Sequence, residues 1–143
     1  MNKKVISCGS IIVKNGKFLI AKPYQNETWN IPKGKQNDGE SFFSTAIRET
    51  LEECNIDIRK YVVESLGQFS YLKNKNLYLY LVVVDTIPKL KCNSFFIDVK
   101  KNRRVPEMVK FKWIKFDDYK KYFSPSLSKV FDRIIPLIKS KVK

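Results

Sequence analysis

The 143-residue sequence contains no histidine and has only 14 acidic residues against 28 lysines and arginines. Without an imidazole, the chain lacks the general base on which serine and cysteine hydrolases of the triad type depend. Its three cysteines, Cys8, Cys54 and Cys92, form no C-x-x-C pair and have no histidine beside them to complete a zinc site. Any catalysis must therefore use carboxylates, lysines or a metal ion.

The chain also lacks a long apolar run, since none reaches the roughly 18 to 20 residues that a membrane-spanning helix needs. We therefore expect no membrane partner. Hydrophobic residues still make up 43% of the chain, enough for a folded core, and we expect one domain over residues 1–143. The odd number of widely spaced cysteines favours a reducing, cytoplasmic compartment.

The imbalance of charge gives a formal net charge of +14. Such a field attracts polyanions at long range, which favours nucleic acid or polyphosphate as a partner. The alternative is a lysine-rich surface that maintains solubility without specifying any partner.

Two pairs of apolar segments predict β-hairpins. Residues 4–13 and 16–21 flank Asn15-Gly16, a dipeptide typical of tight hairpin turns, and residues 61–72 and 76–85 flank the turn at 73–75. Residues 110–116 alternate like a short strand, whereas residues 117–123 and 126–141 predict helices. The last helix is expected to open at Ser126 and to be disturbed at Pro136. This order predicts an α/β (α+β) fold, a mixed sheet with helices packed on it.

An acidic segment lies between the two hairpins. With Ser41 as N-cap, it predicts a helix from Phe42 to Cys54. Steps of about 100° per residue place Glu49, Glu52 and Glu53 on one side of this helix. The other side is then expected to face the sheet, and it carries Phe43, Ala46, Ile47, Thr50, Leu51 and Cys54.

The three glutamates repel one another, at a cost of a few tenths of a kcal/mol for each pair at helical spacing. A hard divalent cation offsets this repulsion well, because Mg²⁺ prefers oxygen ligands and binds through few carboxylates together with waters and phosphates. The acidic side therefore predicts a magnesium site. The alternative is a helix face that is simply solvated.

The spacing around the helix is more specific. The segment fits the pattern G-x5-E-x7-R-E-U-x-E-E-x-G-U, where U is a bulky aliphatic residue, at Gly34, Glu40, Arg48, Glu49, Glu52, Glu53 and Ile56. It resembles the Nudix box, the signature of the Nudix hydrolases. Thr50 stands where an aliphatic residue is usual, and Asn55 replaces the last glycine. We expect the turn to survive, because asparagine is the next best residue for a left-handed backbone.

The resemblance implies a Nudix fold, a mixed sheet sandwiched between helices, and hydrolysis of a nucleoside diphosphate linked to another group with Mg²⁺ or Mn²⁺. It implies that Glu49, Glu52 and Glu53 hold the metal, with a backbone carbonyl at Lys33 or Gly34 as a further ligand.

The resemblance also assigns supporting and catalytic roles. Arg48 would hold Glu49 in place and neutralise part of the cluster, and Glu40 would support it. The metal lowers the pKa of a bound water, and a nearby carboxylate then serves as the base. Glu53 is one candidate for this base. Glu107 is the other, because in several branches of the family a glutamate six residues ahead of an aromatic reaches the site, and Trp113 provides that aromatic.

The substrate is indicated less directly. The segment "WNIPKGK" is most similar to the asymmetrical diadenosine tetraphosphate hydrolases and the mRNA-decapping enzymes. Lys33 in this segment is expected to contact a distal phosphate or, alternatively, to be an exposed loop lysine. Tyr78 and Tyr80 are candidates for stacking on a base, with core packing as the alternative.

Three functions remain open. The first is a pyrophosphohydrolase of dinucleoside polyphosphates or nucleoside 5′-polyphosphates. The second is the same chemistry at RNA 5′ ends, which the basic run Lys100 to Arg104 favours because it can track a phosphate backbone. The third is a non-catalytic RNA-binding module, which the intact set of box carboxylates argues against.

Overall fold

A mixed sheet forms the centre of the computed structural model, which describes residues 4–142. The strands of the molecule are β1 (Val5–Lys14), β2 (Lys17–Pro23), β3 (Lys33–Lys35), β4 (Val62–Leu72), β5 (Lys75–Val83), β6 (Phe95–Asp98), β7 (Arg103–Pro106) and β8 (Met108–Lys115). The strand order in the sheet is β4-β5-β1-β2-β8, with β3 paired to β1, while β6 and β7 form a separate hairpin. β1 and β5 run parallel and the other pairs antiparallel, as the sequence predicts for a mixed sheet.

Both predicted hairpins are present. Asn15 and Gly16 have φ angles of 51° and 75°, the left-handed pair that a two-residue turn between twisted strands requires. In the second hairpin the turn is one residue shorter than predicted, because Lys75 already belongs to β5 and pairs with Leu72.

Helix α1 spans Phe42–Cys54, with the predicted boundaries. The Ser41 hydroxyl caps it by accepting a hydrogen bond from the Ser44 amide at 3.0 Å. Asn55 ends it in the left-handed conformation, φ 67°, and its backbone N–H donates to the Leu51 carbonyl at 3.0 Å. The prediction that asparagine preserves this turn is confirmed.

Helix α2 spans Pro125–Lys141, and its predicted start at Ser126 is wrong. Ser124 is the N-cap, and Pro125 occupies the first turn, where its missing N–H leaves no intrahelical bond unmade. The helix also continues through Pro136, because the buried residues Ile134, Ile135 and Ile138 hold both sides of the proline against the core. Residues 117–123, predicted as a helix, contribute to a short 3₁₀ segment, Phe116–Lys121.

The two faces of the sheet carry separate apolar clusters, one under α1 and one under α2. The predicted facing of α1 is partly wrong. Leu51 is 38% exposed and Phe43 is similarly exposed, whereas Glu53 is only 3% exposed. The helix is rotated so that Ala46, Thr50 and Glu53 lie inward. None of the helices within residues 4–142 is long and apolar enough to cross a membrane.

Candidate functional site

Helix α1 lies against β3, and this contact brings Gly34 to Glu49. A Cβ atom added at Gly34 would overlap the carboxylate of Glu49. Gly34 itself is held in place by pairing with Cys8 of β1. The glycine at the start of the box is thus required by space, because the Glu49 carboxylate rests directly on the backbone of β3.

Glu53 is the most deeply buried carboxylate of the group. Its Oε1 accepts a hydrogen bond from the Lys33 backbone N–H at 3.2 Å. Burial, and then the charge of Glu49, raise the pKa of Glu53 well above its usual range. Burial and then the charge of Glu52 raise the pKa of Glu49. In both cases burial and the neighbouring carboxylates disfavour the ionised form of the side chain.

Arg48 ties the cluster to the preceding loop. Its Nε and Nη2 donate to the two oxygens of Glu40 at 2.8 and 2.9 Å, and Nη2 also donates to the Lys35 carbonyl at 3.0 Å. Its Nη1 lies 3.3 Å from Glu49 Oε1 and 3.6 Å from Glu52 Oε2. One guanidinium therefore contacts three glutamates, using the fork geometry that arginine alone provides.

Glu40 serves as the anchor for this guanidinium. It also accepts hydrogen bonds from the Asn37 amide at 2.9 Å and the Thr45 hydroxyl at 3.1 Å. The hydrogen bond from Arg48, followed by the one from the Asn37 amide, lowers the pKa of Glu40 to about 2. Both oxygens of the Glu40 carboxylate therefore accept hydrogen bonds from neighbouring residues of the protein.

Glu107 lies between β7 and β8 and approaches the same site. Its backbone N–H donates a hydrogen bond to the Ser94 backbone carbonyl at 3.0 Å, and its own carbonyl accepts one from the Tyr24 backbone N–H at 2.8 Å. Its charge contributes to raising the pKa of both Glu49 and Glu53. Glu107 therefore lies close enough to Glu49 and Glu53 for its charge to act on them, although it comes from a different part of the chain.

The donor set fits a hard divalent cation. Its groups are carboxylates, two of them with raised pKa, and the Gly34 backbone leaves room for Glu49 to lie beside it. Within residues 4–142, no three acidic or cysteine side chains lie close enough together to hold a metal ion by themselves. An open arrangement of this kind suits Mg²⁺, which keeps several waters and shares its ligands with substrate phosphates.

Lys33 is not an exposed loop lysine, because it belongs to β3 and is half-buried. Its Nζ lies 5.5 Å from the centre of the Tyr71 ring. Burial, and then the charge of Lys75, lower the pKa of Lys33, while Glu53 and Glu49 oppose that change. The ammonium group therefore lies within the field of the carboxylates.

Tyr78 and Tyr80 occupy a different place. The Tyr78 ring stacks on Phe42 with 4.6 Å between ring centres, and Tyr80 packs on Phe43 at 5.2 Å. Both contacts are at the first turn of α1, whereas Glu53 lies about 16 Å further along the helix axis, at 1.5 Å per residue. Their role in substrate binding stays a prediction, and the rings contribute to packing.

The two departures from the box pattern have local partners. The Thr50 hydroxyl forms a buried hydrogen bond of 2.7 Å with that of Ser10 on β1, which an aliphatic residue could not make. The Asn55 side chain donates to the Lys89 carbonyl at 3.0 Å and accepts from Asn93 at 3.1 Å. Asn55 thereby fastens the segment that leads into β6.

Comparisons with known proteins agree with this geometry. The family model of the NUDIX domain matches residues 3–134. The chain is 30% identical over 112 residues to the uncharacterized 17.7 kDa protein in the e-segB intergenic region of Enterobacteria phage T4, with 74% of each chain covered.

Two further relatives are informative. The chain is 31% identical over 111 residues to the mRNA-decapping protein g5R of African swine fever virus, isolate Warthog/Namibia/Wart80/1980, with 72% of this chain and 45% of g5R covered. It therefore matches less than half the length of that protein. The fold is shared with an Ap4A hydrolase of C. elegans at a TM-score of 0.69 and 21% identity, covering 94% of this chain and 98% of that structure.

Proposed function

Because this chain belongs to the Nudix hydrolase family, we propose that it cleaves a phosphoanhydride bond in a nucleoside polyphosphate with the help of Mg²⁺ or Mn²⁺. The observation that carries this proposal is the packing of Glu49 against Gly34, with Glu53 buried beside it and Glu107 nearby.

The metal would be held by Glu49, Glu52 and Glu53, with a backbone carbonyl at Lys33 or Gly34. When bound, it would withdraw charge from the phosphate oxygens and make a bound water more acidic. The Arg48 guanidinium acts as a positioning group, since it joins Glu49 and Glu52 to the fixed anchor Glu40.

Two carboxylates are available to accept the proton of the attacking water. Glu53 uses Oε1 to accept the Lys33 amide, which leaves Oε2 for a proton or a metal. The Glu107 carboxylate forms no salt bridge with another residue within 4–142. Its position between β7 and β8 allows it to approach a bound substrate. Lys33, on the same edge, supplies positive charge for a phosphate of the substrate.

The first substrate class is dinucleoside polyphosphates or nucleoside 5′-polyphosphates, supported by the "WNIPKGK" segment. The second is RNA 5′ ends, supported by the similarity to a protein named for mRNA decapping. A non-catalytic module is disfavoured, because every carboxylate of the box is retained. We also propose a cytoplasmic location, supported by three unpaired cysteines among residues 4–142.

The test is chromatography of the nucleotide and phosphate products from diadenosine tetraphosphate and from a 5′-triphosphorylated RNA, with Mg²⁺ or Mn²⁺. Wild type is compared with Glu53→Gln and Glu107→Gln. The control is Glu64→Gln, which removes a carboxylate that is not part of the box. Glu64 lies on β4, and its Oε2 lies 2.6 Å from the Lys141 Nζ. We expect metal-dependent turnover that Glu53→Gln abolishes and Glu64→Gln preserves. Absence of turnover with both substrates would refute the proposal.

A further inference from the structure

The hairpin of β6 and β7 was not predicted from the sequence, and it has two unlike faces. Four residue pairs form it, from Phe95 with Pro106 to Asp98 with Arg103. Residues directly opposite each other share a face, as do residues two apart on the same strand. The pairs Phe96–Val105 and Asp98–Arg103 therefore lie on one face. This face is only partly covered by the protein, because Val105 is buried whereas Phe96 is 43% exposed, as much as Phe95, and Arg103 is also exposed. The Phe96 ring packs edge-on against Tyr24 at 5.6 Å, and the Tyr24 hydroxyl donates to Asp98 at 2.7 Å.

The opposite face and the tip remain exposed, although they are rich in apolar groups. Phe95 and Ile97 project from the outer face, and Val99 at the tip is 85% exposed. The guanidinium of Arg104 covers the Phe95 ring, with 4.1 Å between its Cζ and the ring centre. Together with Phe96, four large apolar side chains are exposed to water on one short hairpin, and solubility alone does not account for them.

The same hairpin concentrates positive charge at Lys100, Lys101, Arg103 and Arg104. None of these four forms a salt bridge with a residue in the described part of the chain. Asp98, the acidic residue of β6, is already engaged by Tyr24. The basic groups are therefore available to an anionic partner.

Both ends of the hairpin lie beside the carboxylate site. Just ahead of β6, the Asn93 amide donates to the carbonyl of Glu52 at 2.6 Å. Just after β7, Glu107 follows Pro106 and acts electrostatically on Glu49 and Glu53. With about 3.3 Å per residue, the four paired positions extend about 13 Å from this border. A polymer whose end lies at the carboxylates thus has a basic, apolar surface next to it.

We propose that the β6–β7 hairpin binds the single-stranded RNA that follows the 5′ phosphates at the carboxylate site. Single-stranded nucleic acid is bound by positive groups that track the backbone together with flat side chains on which bases stack. The hairpin presents both, with Arg104 on Phe95 as a preformed stacking surface. This inference rests on the proposed function, and it selects RNA over a free dinucleotide as the substrate class.

The test is fluorescence anisotropy with a 5′-monophosphorylated, 3′-labelled RNA of ten nucleotides, over a series of salt concentrations and without divalent metal. Arg103→Ala/Arg104→Ala removes charge from the hairpin, and Phe95→Ala removes the ring. The matched control is Lys120→Ala/Lys121→Ala, which removes two adjacent, exposed charges from the 3₁₀ segment Phe116–Lys121. Circular dichroism and thermal unfolding confirm that each variant is folded.

We expect the arginine variant to bind RNA at least tenfold more weakly and to make the slope of log affinity against log salt shallower by about 1.4, at about 0.7 per phosphate contact. Phe95→Ala should weaken binding about fivefold or more without changing the slope, because stacking is not an ionic contact. Equal losses in the arginine variant and the lysine control would overturn the proposal, since the general field of the protein would then explain binding.

Wild-type affinity in all hairpin variants would also overturn it and would leave the apolar side chains to a protein partner. Because binding is measured without metal, these results are independent of hydrolysis. Failure of the chemistry in both substrates would refute the proposed function, whereas turnover with unchanged RNA binding would refute only the role of the hairpin.

Discussion

The charged side chains around Arg48 at the carboxylate site are held by ion pairs with one another, whereas the basic side chains of the neighbouring hairpin have no ion pair among residues 4–142. Arg48 contacts Glu40, Glu49 and Glu52 together, and Gly34 leaves space for one position of the Glu49 carboxylate. On the hairpin, by contrast, the four basic residues at 100, 101, 103 and 104 extend without an ion pair to any residue within 4–142.

This difference corresponds to two kinds of recognition. Metal and phosphate chemistry requires atoms held in place, because displacement by about 1 Å can cost about 100-fold in rate. Binding of an RNA phosphate backbone by basic side chains tolerates motion of those side chains and variation of the RNA sequence, but its affinity depends strongly on salt concentration. Substitutions at the carboxylate site should therefore lower turnover of every substrate. Changes at the hairpin should lower the binding and turnover of RNA alone.

The largest effect is expected from Gly34→Ala. The new methyl group overlaps the Glu49 carboxylate, so that Glu49 must move. We expect turnover of dinucleotide and RNA to fall by about 100-fold or more. Steady-state kinetics with both substrates measures this. The control is Gly16→Ala, which meets nothing within 4 Å but carries the strain of its positive φ of 75°. If Gly34→Ala were no more harmful than this control, the packing of Glu49 on β3 would not matter.

Arg48→Lys should give the next largest effect. Lysine keeps the charge but cannot form the forked contact with Glu40 while also reaching Glu49. We expect kcat/KM to fall roughly tenfold for either substrate, or about 1.4 kcal/mol in the barrier. Arg59→Lys is the matched control, because Arg59 makes a similar fork to Asp57 outside the site. Equal activity of the two variants would contradict the positioning role.

The salt dependence of turnover distinguishes the contributions of the carboxylate site and the hairpin without any substitution. If two phosphates of the RNA contact the hairpin, raising salt from about 50 to about 200 mM should lower kcat/KM for a 5′-triphosphorylated RNA about sevenfold relative to the value for diadenosine tetraphosphate. The Arg103→Ala/Arg104→Ala variant should reduce this difference. Equal salt dependence for the two substrates in the wild-type protein would remove the distinction between the regions.

The smallest effect concerns stability in acid. The pKa of Glu40 is lowered from 4.5 to about 2, so its folded state binds a proton less readily than its unfolded state does. Its contribution to stability is present above pH 4.5 and is lost as the pH falls towards 2. The stability difference between wild type and Glu40→Gln should therefore shrink over this range in urea unfolding curves. A constant difference would show that the Arg48 contact does not stabilise the folded state in this way.

The local signals in the sequence were sufficient for α1. Ser41, the box spacing and Asn55 each act within a few residues, and the helix has the predicted ends. Its orientation depends instead on tertiary packing. Helical geometry alone placed Leu51 towards the sheet, whereas the Ser10–Thr50 hydrogen bond and the contact with β3 turn Glu53 inward.

The short strands could not be predicted in the same way. β3 is only three residues long, with no alternating pattern, and is a strand because β1 pairs with it. The hairpin of β6 and β7 resembled a basic loop because its turn residue is Asn102, φ 50°, inside the charged run. The grouping of Glu107 with Glu49 and Glu53 agrees with the predicted site. Its catalytic role, like the single domain over residues 1–143, stays a prediction.

The most direct measurement is Mn²⁺ binding, followed by electron paramagnetic resonance, for wild type, Glu49→Gln/Glu53→Gln and Glu64→Gln. If the α1 carboxylates hold the metal, the double variant should bind Mn²⁺ at least tenfold more weakly, while Glu64→Gln should match wild type. Equal Mn²⁺ affinity in the wild type and the double variant would contradict the assignment of the metal to these carboxylates.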